Sequence, residues 1–232
     1  MRILGIESSS LVASVAVVTD GVLTAEYTVN DKKTHSRTLL PMLDEMGKLL
    51  ELDLHTIDGI AVSAGPGSFT GLRIGSATGK GLGLALNKPL LHIPTLEALA
   101  YNLWGIGCLA CPIMDAKRNQ VYTGLYYVED RLISVKEQCA MDMGQLIGQL
   151  NARGEKVIFL GDGVPVFREL IKEKLTAPHA FAPAQSSRQR AASVAALGQI
   201  YLEEGKGETA ADHKPEYLRK PQAEREREGI KL

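Results

Sequence analysis

Asp58-Gly59-Ile60-Ala61-Val62-Ser63-Ala64-Gly65-Pro66-Gly67-Ser68-Phe69-Thr70-Gly71 carries the pattern that decides the fold. Asp58 to Ala64 reads as a buried strand, Gly65-Pro66-Gly67 breaks it, and a helix follows to about Leu86. The same order returns later, where Lys156 to Leu160 is broken by Gly161-Asp162-Gly163. Working outward, Arg2 to Ile6 is a short apolar run that ends in Glu7 and three serines, before a second run from Ser14 to Val18. Pro112 to Met114 ends in Asp115, Lys117 to Gln120 is a polar turn, and Val121 to Val128 is a second strand. An acid closes the first strand each time. The chain is therefore two diverged copies of one unit: a strand-turn-strand hairpin, then a strand whose glycine-rich end feeds a helix.

Such a pair of α/β units predicts two tandem related halves. The repeat points to the actin-like ATPase (ASKHA, ribonuclease H-like) architecture, in which hairpin turns and glycine-rich loops face each other. The expected halves are 1–105 and 106–232, with the last helix, about Ser193 to Glu204, packing back on the first. Asp20-Gly21 predicts a turn into a third strand from Val22 to Val29, and Ser36 a cap for a helix to about Leu50. Leu90 to Ile93 is another short strand. Glu129 to Arg153 shows no clear pattern. The tail from Lys214 to Leu232 alternates charges around Pro215 and Pro221 and reads as a solvated terminus.

The 232 residues are 45% hydrophobic and 23% charged, enough for a core without disulfides. Lys plus Arg is 26 and Asp plus Glu 27, a net charge of -1, which does not by itself suit nucleic-acid binding. Glu7 arrives too early for a signal peptide, and no apolar run is long enough to span a membrane. A cytoplasmic protein is expected. Cys108 and Cys111 form a Cys-x-x-Cys pair, but it leads into a strand and lacks further ligands, so packing is preferred over redox or zinc chemistry. His35, His55, His92, His179 and His213 are widely spaced, and no His-Glu-x-x-His is present, so no metal site is expected.

The Gly65-to-Gly71 turn has two readings. As a strand-to-helix junction it can hold an anion on free amides, and Ser8, Ser9, Ser10, Gly65, Gly67 and Ser68 would be the phosphate-loop remnants. As a tight turn it is purely structural. It misses the dinucleotide fingerprint by one residue, and Gly79-Lys80-Gly81 lacks the hydroxyl of a P-loop. No nucleophile elbow surrounds the serines. Gly71, Gly75, Gly79 and Gly83 recur every fourth residue, so one face of this helix is bare backbone. Either the chain's own sheet or a second chain packs there. The apolar residues of the preceding helix spread from Leu39, Leu43, Met46 and Leu50 to Met42 and Leu49, and this surplus favours the second chain.

Ile3-Leu4-Gly5-Ile6-Glu7-Ser8-Ser9, His35-Ser36 with Leu40-Pro41, Gly65-Pro66-Gly67-Ser68-Phe69-Thr70-Gly71-Leu72-Arg73-Ile74-Gly75 and Pro94-Thr95-Leu96-Glu97-Ala98-Leu99-Ala100 together resemble the TsaB (YeaZ) family. Asp115-Ala116-Lys117-Arg118, Gly161-Asp162-Gly163 and Pro215-x-Tyr217-x-Arg219 extend the resemblance nearly end to end, although Glu7 stands where an aspartate is commoner. The resemblance implies a non-catalytic accessory subunit for threonylcarbamoyl transfer to N6 of adenosine 37, in tRNAs reading codons that begin with A. The catalytic paralogue TsaD holds a metal with His-x-x-x-His after the Pro-Thr region, and Leu96 to Tyr101 has no histidine. The implied partners are TsaD, the ATPase TsaE, tRNA only through the complex, and a second copy of the chain when TsaD is absent. The implied interface comprises His35, Leu39, Met42, Met46, Leu49, Gly71, Leu72, Gly75, Gly79 and Gly83. No cofactor is implied for the chain alone, and ATP or ADP belongs to the complex with TsaD. The alternative on the same fold is a small-molecule kinase or ATPase, with Glu7 or Asp115 positioning metal and nucleotide. A metalloprotease fails on the histidine spacing.

Overall fold

The computed structural model describes residues 1–31 and 35–219. Its first half holds strands β1 (Arg2–Glu7), β2 (Val12–Thr19), β3 (Val22–Asn30), β4 (Gly59–Gly65) and β5 (Leu90–Pro94). Helices α1 (Leu39–Leu50) and α2 (Phe69–Leu86) are interleaved with them, and α3 (Thr95–Tyr101) follows β5. The second half holds β6 (Leu109–Asp115), β7 (Gln120–Val128), β8 (Leu132–Asp142), β9 (Val157–Leu160) and β10 (His179–Phe181). Its helices are α4 (Met143–Arg153), α5 (Val164–Lys174) and α6 (Ala191–Glu203).

The sheets run β3-β2-β1-β4-β5 and β10-β9-β6-β7-β8. Read from the other edge, the second order is the first with each strand replaced by its counterpart five strands on. Within each sheet the hairpin strands are antiparallel, and the two later strands add parallel to the first. That is the two-copy actin-like ATPase fold expected from the repeat. The segment without a clear pattern forms β8 and α4, the counterparts of β3 and α1. Strand β8 is an edge strand with no fully buried residue, so its side chains do not alternate cleanly.

Helices α1 and α2 cover one face of the first sheet. Leu39, Leu43 and Met46 join Leu4, Ile6, Val15 and Val62 in one core cluster. Helix α6 lies on the opposite face, with Val194, Ala195 and Leu197 against Ile3, Ala61 and Leu91. The approach is close because a Cβ at Gly5 would stand 2.4 Å from the Ala191 carbonyl oxygen, and one at Gly198 2.6 Å from Ala61 Cβ. The amides at the start of α6 find partners on the hairpin: Ala191 N donates to Ser14 Oγ at 3.0 Å and Ala192 N to Glu26 Oε1 at 3.1 Å. Arg190 forms an ion pair with the same carboxylate.

Two expectations are corrected here. Ser36 does not cap α1; it lies in a 3-10 turn, His35–Arg37, and Thr38 is the N-cap, its hydroxyl reaching back to the His35 carbonyl. The tail is not simply solvated, since Glu216 N donates to Ala64 O at 2.7 Å and the Tyr217 ring packs on Phe69 at 4.8 Å between centroids. The part of the tail from Lys220 lies outside the described residues.

Candidate functional site

A cleft of about 630 Å³ opens where the two halves face each other. The β1–β2 turn contributes Ser9 and Ser10, and the start of α2 contributes Gly67, Ser68 and Gly71. The β6–β7 turn contributes Asp115 and Lys117, and Asp162 comes from the loop after β9. The repeat is visible in the hydrogen bonds of the turns. Glu7 Oε1 accepts from Ser9 N at 2.6 Å, and Asp115 Oδ1 accepts from Lys117 N at 2.8 Å. In each half the closing acid ties down the amide two residues on.

Glu7 is fully buried, and its Oε2 has no hydrogen-bond partner. Burial raises its pKa above the ordinary 4.5, against the hydrogen bonds from Ser9, which lower it. Asp162 is raised for the same reason, and Arg188 opposes the rise. Asp162 lines the cleft, and Glu7 lies buried behind Ser9 in its wall. Lys117 is raised by its 2.6 Å bond to Asp115, which already pairs its charge.

The glycine turn is occupied from within. Ser68 N donates to Ser9 O at 2.6 Å, Ser68 Oγ caps Gly71 N, and Ser8 Oγ donates to Gly71 O at 2.9 Å. A Cβ at Gly67 would lie 2.3 Å from Ser9 O, so the glycine is there to let two backbones meet. Gly65 likewise leaves room for the Glu216 carbonyl oxygen, at 2.2 Å from a Cβ. Two amides of the strand-to-helix junction, those of Ser68 and Gly71, thus already have partners within the chain. His35 is held the same way, its Nε2 donating to Ser10 O at 2.7 Å while Nδ1 has no partner.

The bare face of α2 points inward. A Cβ at Gly71 or Gly75 would meet Ser8 at 2.1 or 2.2 Å, one at Gly79 Val62 at 2.6 Å, and one at Gly83 Leu90 at 2.4 Å. Those four glycines serve the chain's own sheet, which corrects the assignment of that face to a second chain. His35, Leu39, Met46 and Leu72 are also buried within the chain, and Met42 is half-buried in the same core cluster. Of the ten residues expected at an interface, Leu49 alone is exposed, at 74%. Leu40, at 54%, is exposed on the opposite flank of α1 from Leu49, and the outer surface of α2 carries Leu84 at 66% with exposed Ala77, Gly81 and Ala85. The spacing of Ala77, Gly81 and Ala85 is again four, the same signal that singled out the inner face.

Comparison with known proteins follows the same lines. The family model for TsaD, tRNA N6-adenosine threonylcarbamoyltransferase, matches residues 23–227. The tRNA threonylcarbamoyladenosine biosynthesis protein TsaB of Bacillus subtilis is 32% identical over 229 residues, which cover 97% of this chain and 96% of that protein. The chain belongs to the TsaB (YeaZ) family. TsaB of Escherichia coli is 32% identical over 128 residues, covering 54% of this chain and 55% of its own. The solved YeaZ of Pseudomonas aeruginosa superposes with a TM-score of 0.80 at 23% identity, over 93% of this chain and 99% of that one, which shows the shared fold. Cys108 and Cys111 are both free thiols, the first part-exposed ahead of β6. Cys111 is buried on β6 beside Thr123, and burial pushes its thiol up to about 12.

Histidine spacing along the chain misses one cluster. His92 and His213 meet beside Glu208, with ring centroids 5.8 Å apart. No local motif announces it, because the residues come from a strand and from the segment after the last helix.

Proposed function

We propose that this chain is the non-catalytic accessory subunit that activates TsaD, together with TsaE, for threonylcarbamoyl transfer to adenosine 37 of tRNA. Family membership supports the pathway, since the relatives are named for threonylcarbamoyladenosine biosynthesis. The observation that carries the subunit role is the outer face of α2. Leu84 projects from α2 among the exposed small residues Ala77, Gly81 and Ala85, while Leu40 and Leu49 stand on opposite flanks of α1. An exposed leucine beside a row of small residues suits a partner helix at close range. TsaD takes that face in the complex, and a second copy of the chain takes it when TsaD is absent. The cleft supports the non-catalytic reading, because Ser8 and Ser9 fill the glycine turn and Glu7 is buried with one oxygen bonded to Ser9. ATP or ADP then acts in the complex, tRNA is met through TsaD, and the location is the cytoplasm.

The test is co-purification with the TsaD of the same organism, followed by tRNA modification with and without this chain. A complex and a dependence on the chain support the proposal. Failure to bind TsaD, with ATP turnover by the isolated chain, replaces it with a small-molecule kinase acting at the 630 Å³ cleft.

A further inference from the structure

Three groups far apart in sequence meet at the open edge of the first sheet. His92 stands on β5, and Glu208 and His213 lie on the segment after α6. Leu90 and Glu208 exchange backbone hydrogen bonds of 3.0 and 2.9 Å, so that segment extends the edge by one bridge. One ligand-type atom from each of the three groups lies within 4.8 Å of the others. His213 Nδ1 is 2.5 Å from Glu208 Oε1, and the His213 side chain is wholly buried. Its Nε2 is buried with no hydrogen-bond partner. Glu216 Oε2 is 3.9 Å from His92 Nε2.

We propose that His92, Glu208 and His213 form a binding site for a zinc-class divalent cation, with Glu216 beside His92 at its rim. Two imidazoles with carboxylates are the donor set of zinc, cobalt and nickel, whereas magnesium and calcium select oxygen alone. Tetrahedral zinc at bonds of about 2.1 Å spaces its ligands about 3.4 Å apart, so small side-chain rotations close the site from its present span. The orphaned nitrogen is the second observation. A carboxylate beside Nδ1 keeps the proton there, which leaves Nε2 with a buried lone pair and no donor to meet it. Lys80 is the nearby cation, and its ammonium is turned onto the carbonyls of Ala211 and His213 at 3.0 and 3.2 Å. Glu208 serves as ligand or as the carboxylate that orients the ring, and its loss weakens binding in both roles. The ion would clasp the chain after α6 to the β5 edge. Glu216 and Tyr217, which follow directly, cross the end of β4 to the start of α2.

The experiment titrates zinc chloride into the untagged, chelator-stripped full chain by calorimetry, with cobalt(II) absorption as a check on tetrahedral geometry. Expected is one equivalent bound tighter than about 10 µM, a gain of roughly 7 kcal/mol. His92→Ala and Glu208→Gln, each confirmed folded by circular dichroism, weaken binding at least about tenfold. Replacement of the exposed His55 changes nothing. Amide exchange across 205–213 slows on zinc addition in the unaltered chain. The proposal is overturned by no binding at millimolar zinc, by affinity unchanged in both variants, or by exchange that zinc does not slow.

Discussion

One methyl group added at two points of α2, two residues apart, is expected to move stability in opposite directions. Gly79 and Gly81 both lie inside the helix, so Gly→Ala brings the same intrinsic gain of about 1 kcal/mol at each. Their surroundings differ. A Cβ at Gly81 meets nothing within 4 Å, whereas one at Gly79 would stand 2.6 Å from Val62 Cγ2 and 3.6 Å from Leu90 Cδ2. Val62 is a β-branched residue buried in the central part of the sheet, with little rotamer freedom to yield. Overpacking of that kind costs about 2–3 kcal/mol, the upper part of its usual range. Gly79→Ala is therefore destabilised by about 1–2 kcal/mol net, and Gly81→Ala is stabilised by about 1 kcal/mol. For a chain of this size each kcal/mol moves the melting midpoint by about 2–4 °C. Differential scanning calorimetry should show Gly79→Ala melting about 2–8 °C below the parent and Gly81→Ala about 2–4 °C above it. Equal shifts, or a stabilised Gly79→Ala, would refute the inward assignment of the glycine face.

Gly81→Leu, on the outer face, should keep the rise in melting midpoint expected of Gly81→Ala, and Leu84→Asp should lower it by no more than about 3 °C, yet each should weaken TsaD association at least about tenfold by calorimetry, since a blocked approach or a buried charge costs about 1.4 kcal/mol or more. Glu7 and Asp162 bind protons more tightly when folded than when unfolded, so their contribution is fully present below their ordinary values and is lost as pH rises through the raised ones. Urea midpoints should accordingly decline above about pH 4.5, and Glu7→Gln should flatten that decline; an unchanged slope would show that Glu7 is not the group responsible. Tyr217→Ala removes the ring that covers Phe69, which Arg73 also covers at 3.8 Å, and should lower the melting midpoint by about 2–4 °C for a loss of about 1 kcal/mol. Accelerated exchange at the Ala64–Glu216 bond would accompany it, and a null result in both would leave the tail without a packing role.

Much of this fold is legible in one dimension because its units are local. The apolar runs at Arg2 to Ile6 and Pro112 to Met114 end in an acid and a turn, and the runs at Asp58 to Ala64 and Lys156 to Leu160 end in glycines. Strand period and turn chemistry suffice for those elements, and their repetition gives the two-copy architecture. Strand β8 escaped because an edge strand with half-buried side chains need not alternate. The resemblance from Ile3 to Arg219 likewise follows from strings such as Gly65 to Gly75, where backbone approaches leave little freedom of residue type.

Direction and distance are what the linear pattern lacks. A four-residue spacing shows that Gly71 to Gly83 share a face, but a face carries no address. Packing alone shows that it meets Ser8, Val62 and Leu90, and that Ala77, Gly81 and Ala85 face out. The same holds for His92 and His213, whose meeting depends on the chain returning past β5 after α6. Sequence by itself determined the repeating unit, the elements that carry it and the family, because those rest on contacts between near neighbours. The tertiary structure decided which helix face is surface, which amides are already bonded and which histidines touch, because those depend on segments that fold together from distant parts of the chain.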